Sequence, residues 1–94
     1  MDYVVHPGTI IKYLLMSLGK KQKWLADEMG MSKVIVNELI HGKRNVTAAI
    51  ALAIEKATDY PAENLLRAQA DYDLFIERQK EGKYSSLNVE EKAV

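Results

Sequence analysis

Between Gln22 and Arg44 the chain reads QKWLADEMGMSKVIVNELIHGKR, and Gly30 divides this stretch into two short segments of helical period. Leu25, Ala26 and Met29 form the buried side of the first segment by the three-and-four spacing of a helix. Gly30 then supplies the left-handed backbone that commonly ends a helix. Ser32 restarts the chain, because its hydroxyl can accept an N–H from the first turn of the segment that follows. In that second segment Val36, Leu39 and Ile40 share one face, and Lys33, Val34, Asn37 and His41 share another. Gly42 closes it. The stretch therefore predicts two helices meeting across a sharp turn, the first bracing the second and the second keeping a polar face.

Around this pair the pattern predicts three more helices. One spans about Gly8 to Leu18 and buries Ile10, Ile11, Leu14, Leu15 and Leu18. The central pair occupies about Lys21 to Met29 and Lys33 to His41. A fourth starts after Thr47, an N-cap by residue type, and buries Ile50, Leu52, Ala53 and Ile54. A fifth begins near Pro61, whose missing N–H costs nothing in a first turn, and runs to about Lys80. After Glu81-Gly82 the apolar period fades, so residues 81–94 are expected to form a flexible tail on a single domain of residues 1–80. Tyr3-Val4-Val5 is the one β-looking patch.

Composition narrows the class. At 94 residues the chain is long enough for one small helical core, and it has no cysteine with which to build a disulfide framework or a thiolate metal site. No carboxylate stands at ligand spacing from His6 or His41, so neither a metal nor another cofactor is expected. The longest apolar run, Ala48 to Ile54, is far short of the ~18 residues of a membrane span. With no secretory signal before His6, the expected address is the cytoplasm. The formal net charge is zero, yet residues 20–44 hold six basic and three acidic side chains, whereas residues 71–94 hold six acidic and four basic. Positive charge is concentrated on the helix pair.

A helix pair with these properties suits the major groove of DNA, the second helix entering with its N-terminal half against the bases. Ser32 opens that helix. Lys33 is placed to donate to guanine, Asn37 to make a bidentate contact with adenine, and Val34 to pack on a thymine methyl. Gln22, at the start of the bracing helix, suits a phosphate oxygen. Lys23, Lys43 and Arg44, with Asn45, border the helix where the backbone should pass, although each lysine or arginine taken singly is also an ordinary surface residue. His41 is read as sitting at a helix C-terminus, where partial negative charge favours a cation, its alternative being a phosphate contact, and His6 as an N-cap or turn residue beside Pro7.

The central segment resembles the XRE (Cro/C1-type) helix-turn-helix family, on Gln22, Leu25-Ala26, Gly30-Met31-Ser32 and Gly42-Lys43-Arg44. Its flanks resemble the HigA-type antitoxin branch of that family. They do so through His6-Pro7-Gly8, Glu55-Lys56-Ala57-Thr58, Pro61-Ala62-Glu63, Leu66, Gln69-Ala70 and Tyr72-Asp73-Leu74, so that the likeness runs from His6 to about Leu74. It implies an all-α, five-helix, lambda-repressor-like DNA-binding domain. It also implies an antitoxin that binds and neutralises a HigB-type mRNA-cleaving ribonuclease toxin encoded beside it and represses their shared promoter. The chain departs from the family in four places. Lys21 stands where a capping Ser or Thr is usual, Asp59 replaces a C-terminal glycine, Asn64-Leu65 replaces an aromatic pair, and Trp24 occupies a normally polar position.

One recognition helix makes few contacts, so a homodimer on a palindromic promoter site is expected. Leu65, Leu66, Gln69, Tyr72, Phe75 and Ile76 give the fifth helix more apolar surface than a lid requires, and Leu65, Gln69, Tyr72 and Ile76 are the expected dimer contacts. The alternative is that they close the monomer's own core. Trp24 is the candidate toxin contact, its alternative being a ring folded over Leu25 and the first helix. The competing function is a stand-alone XRE-type repressor with no toxin partner. An enzyme is not expected, because the chain lacks a cysteine nucleophile, a glycine-rich phosphate loop and paired carboxylates in an apolar setting.

Overall fold

A computed structural model describes residues 4–93, with side-chain surroundings for residues 4–81. Five helices follow one another: α1 (Pro7–Leu18), α2 (Gln22–Met29), α3 (Lys33–Ile40), α4 (Ala48–Thr58) and α5 (Ala62–Ala93). No strand occurs among the described residues, and Val4 and Val5 carry no regular structure. The first three helices start and stop within a residue of their predicted ends, and α4 starts directly after Thr47 as predicted, because local chemistry sets those ends.

His6 opens α1. Its Nδ1 accepts the Gly8 N–H at 2.9 Å, and Pro7 fills the first turn, where no N–H is needed. Ser32 Oγ accepts the Ile35 N–H and Thr47 Oγ1 accepts the Ile50 N–H, both at 3.3 Å, so α3 and α4 have the caps their sequences predict. The side chain of Lys21 makes no such bond, and α2 begins without a side-chain cap. At the other ends, Gly30 (φ 67°) lets Met31 donate to Ala26 O at 2.9 Å, and Gly42 (φ 72°) lets Lys43 donate to Glu38 O at 2.8 Å. Asp59 takes the same left-handed backbone without being glycine (φ 66°), and its N–H reaches Glu55 O at 2.7 Å. The Glu55 carboxylate then accepts the Ala62 N–H at 3.2 Å, which joins the end of α4 to the start of α5.

One core holds the helices together, built from Ile11 and Leu15, Leu25 and Ala26, Val36 and Leu39, Val46, Ile50, Ala51 and Ile54, and Ala62 and Leu65. Position 8 decides how closely α1 can approach α3. A Cβ on Gly8 would collide with the carbonyl oxygens of Leu39 and Ile40, so only glycine allows the N-terminus of α1 to sit on the C-terminal carbonyls of α3. The contact also sets the partial positive end of one helix against the partial negative end of another.

Three expectations need correction here. Leu52 is 51% exposed, because two residues along a helix turn the side chain about 200° away from the inward row of Ile50, Ala51 and Ile54. Leu18 is 44% exposed; the last turn of α1 has run past the core, and Met16 and Ser17 are exposed with it. Lys80 does not end α5, whose backbone stays helical to Ala93. The expected tail over residues 81–94 thus carries helix as far as Ala93, and its side chains after Glu81 lie outside the described residues.

Candidate nucleic-acid interface

The packing of α3 leaves one face for a partner. Val36 and Leu39 are wholly buried, while Ser32, Lys33, Val34, Asn37 and His41 are exposed, Val34 at 64%. A valine that open on a helix with a built core face is surplus to folding. Its methyls are left open to solvent.

The polar members of this face are held in place. Asn37 Nδ2 donates to Gln22 Oε1 at 3.1 Å, bridging the recognition helix and the first residue of the bracing helix. A carboxamide nitrogen carries two N–H groups, so with one spent on Gln22 the Asn37 side chain keeps its other N–H and its Oδ1 free of that bond. His41 Nδ1 lies 2.8 Å from Asn37 O, and since a carbonyl oxygen only accepts, the ring nitrogen is the donor. His41 therefore caps the end of α3 with its own helix's carbonyl.

The basic residues divide into two groups. Lys23 is paired with Asp27 at 3.0 Å and Arg44 with Glu38 at 2.8 Å, whereas Lys33 and Lys43 make no ion pair among the described residues. Exposed pairs of this kind contribute about 0–1 kcal/mol, so a phosphate can displace either carboxylate at small cost. The Glu38 contact is double, with Arg44 Nε at 3.0 Å as well, and it fixes the guanidinium along α3. Asn45, also exposed, accepts from Gln69 Nε2 at 3.3 Å.

Gln69 stands apart from the role its place in α5 suggests. It is 6% exposed, its Oε1 accepts the Val46 N–H at 2.7 Å, and its Nε2 also donates to Asp73 Oδ1 at 2.9 Å. Leu65 has no exposed surface at all. Neither has a face left for a second copy, and the expectation of dimer contacts at these two positions is corrected: a buried loop N–H needed an acceptor, and Gln69 provides it. Tyr72 and Ile76 remain half-buried. The Tyr72 ring meets His6 edge-on, centroids 4.9 Å apart, and His6 itself is 8% exposed beneath Gly42. Burial lowers the His6 pKa from its ordinary 6.5, against an opposing pull from the Asp73 carboxylate.

Trp24 is half-buried, packs against the core, and has the Lys20 ammonium 5.3 Å from its ring centroid. A groove of about 700 Å³ lies elsewhere, between Val4 and Val5 and the Ala68, Asp71, Phe75 and Arg78 side of α5. No residue of α2 or α3 lines it. Among the described residues no cluster of His, Asp or Glu could hold a metal ion, and no helix is long and apolar enough to cross a membrane.

Comparison with known families decides what this geometry belongs to. A helix-turn-helix family model matches residues 11–65, which take in α1 to α4 and the start of α5. The chain belongs to the XRE-type helix-turn-helix family. That family is one of DNA-binding regulators rather than an enzyme class. Among solved structures this XRE-type protein is similar to the antitoxin HigA of Pseudomonas aeruginosa, solved with the higBA promoter. The two are 26% identical at a TM-score of 0.80, over 86% of this chain and 89% of that one. It is also similar to an addiction module antidote protein of the HigA family from Coxiella burnetii, at 27% identity and a TM-score of 0.79, over 90% and 94% of the two chains. In sequence it is 37% identical over 70 residues to virulence-associated protein A' of Dichelobacter nodosus, a match spanning 73% of this chain and 61% of that relative.

Proposed function

We propose that this XRE-type protein is an antitoxin that represses its own operon as a dimer and neutralises an mRNA-cleaving ribonuclease of HigB type encoded beside it. The observation that carries the DNA half is the outward face of α3, where Lys33, Val34 and Asn37 stand clear of the core and Asn37 is fixed by Gln22. Ser32 starts the helix in the groove. Gln22, Lys23, Lys43 and Arg44 take the flanking phosphates, the two paired residues exchanging a carboxylate for a phosphate oxygen. Similarity along most of the chain to a HigA antitoxin solved with promoter DNA supports this reading.

The second copy is placed on the outer face of α5 through Tyr72 and Ile76, in a functional unit of residues 1–80. Trp24 is the proposed toxin contact, since this tryptophan on α2 is only half-buried. A promoter duplex and a scrambled duplex of the same length test the DNA half directly. Tight binding to the first, steeply weakened by salt, is the expected result, because neutralising phosphates releases counterions. Equal binding to both duplexes, or affinity indifferent to salt, contradicts the reading.

A further inference from the structure

Beside the face that reads bases lies a second polar feature. Lys12, Leu15, Met16, Gln22, Ile40 and His41 line a cleft of about 290 Å³ at the meeting of α1, the start of α2 and the end of α3. Among the described residues no carboxylate lines it. Lys12 is exposed and makes no ion pair among the described residues, in contrast to Lys23, Arg44 and Lys80, each of which faces an acid. Its charge is therefore uncommitted.

The walls of the cleft are set by the bonds that set the base-reading face. Asn37 holds Gln22 through its Oε1, which leaves the Gln22 Nε2 donors free of that bond, and Asn37 O holds the His41 ring. A lining that offers a cation and an amide donor, no acid among the described residues, and apolar surface from Leu15, Met16 and Ile40 matches one unit of nucleic-acid backbone. The phosphate belongs beside the cation and the sugar on the apolar side. A carboxylate ligand would use the same cation but has no use for the apolar surface or for a position beside α3.

We propose that this cleft takes a backbone phosphate of the operator next to the bases read by α3, with Lys12 as its charged donor. The inference rests on the DNA-binding reading above and adds α1 to the interface. It assigns a role to a residue ten positions ahead of Gln22, outside the stretch that carries the motif.

The test measures binding of the promoter duplex by the full chain, its Lys12→Ala variant and its Lys12→Arg variant across a salt series. Alanine suits an exposed helical position, so Lys12→Ala should fold, and thermal melting checks that it does. Losing one phosphate contact in each half-site should lower the magnitude of the dimer's slope of log affinity against log salt by about 1.8, while Lys12→Arg keeps it. Neutral methylphosphonate links placed one at a time then locate the contact. One position per half-site should weaken the unaltered protein and leave Lys12→Ala unaffected. If the unaltered protein binds the promoter and Lys12→Ala keeps both its slope and every methylphosphonate penalty, the Lys12 site is wrong and the DNA reading stands. If the unaltered protein shows no preference for the promoter, the DNA reading fails and this inference fails with it.

Discussion

Asn37 on the recognition helix and Gln22 at the start of the bracing helix are joined by one hydrogen bond of 3.1 Å across fifteen positions of sequence. The bond holds the Asn37 carboxamide at a set angle before any base arrives, which lowers the ordering cost of the bidentate contact with adenine proposed for it. Asn37→Ala should therefore weaken binding by about 1–3 kcal/mol and relax specificity at one base pair per half-site. Gln22→Ala should produce a smaller loss with the same base-pair signature, because it frees Asn37 rather than removing it. Binding measured against duplexes varied one base pair at a time distinguishes the two. A Gln22→Ala loss spread evenly over all sequences would mean that Gln22 serves phosphate alone.

Gly8 makes a second prediction. Its missing Cβ is what lets α1 sit on the Leu39 and Ile40 carbonyls. Gly8→Ala must push the two helices apart or distort the end of α3, at a cost of about 1–3 kcal/mol of stability. Urea unfolding should show a lower midpoint, and DNA affinity should fall with it because α3 is displaced. An unchanged midpoint contradicts the packing described.

Helix ends are readable because each rests on one or two adjacent residues: His6 before Pro7, Ser32 before Lys33, Thr47 before Ala48, and Gly30, Gly42 and Asp59 after the helices they end. The outward face of α3 is readable because it is the complement of Val36 and Leu39. Positions that depend on where a helix sits are not. Leu52 and Leu18 are apolar yet exposed, and Gln69 is polar yet buried because a loop 23 positions away needs an acceptor for Val46 N–H. Lys12 shows the same limit, since nothing local marks a lysine that folding brings beside Gln22 and His41.

Gln69 belongs to the monomer, and that is testable. Gln69→Ala leaves the buried Val46 N–H without an acceptor, which costs about 1–3 kcal/mol in stability. Its effect on self-association should be small once stability is matched. Tyr72→Ala and Ile76→Ala together should do the reverse, lowering sedimented mass toward that of one chain at micromolar concentration. Loss of dimer on Gln69→Ala at full stability would restore the residue to the interface.

His6 gives the protein a dependence on pH with a definite sign. Its Nδ1 must stay unprotonated to accept the Gly8 N–H, and Nε2 is buried without a partner among the described residues, so the folded chain resists charging the ring. Burial lowers the folded pKa below 6.5, with Asp73 opposing. The unfolded chain consequently takes up a proton first. Stability from this site is complete above pH 6.5, falls as pH drops below that value, and levels off below the folded pKa. His6→Asn keeps a capping acceptor but cannot titrate, so the difference in unfolding free energy between the two proteins should narrow on acidification through this range. A difference that is constant with pH contradicts the assignment.

The most direct test of the antitoxin reading is growth of a host that expresses the reading frame adjacent to this gene, first alone and then with this protein. The expected result is arrest by the neighbour and restored growth when this chain is present, with rescue weakened by Trp24→Ala. A neighbour that is harmless, or that stays toxic beside full levels of this protein, contradicts the antitoxin reading and leaves a repressor that acts alone.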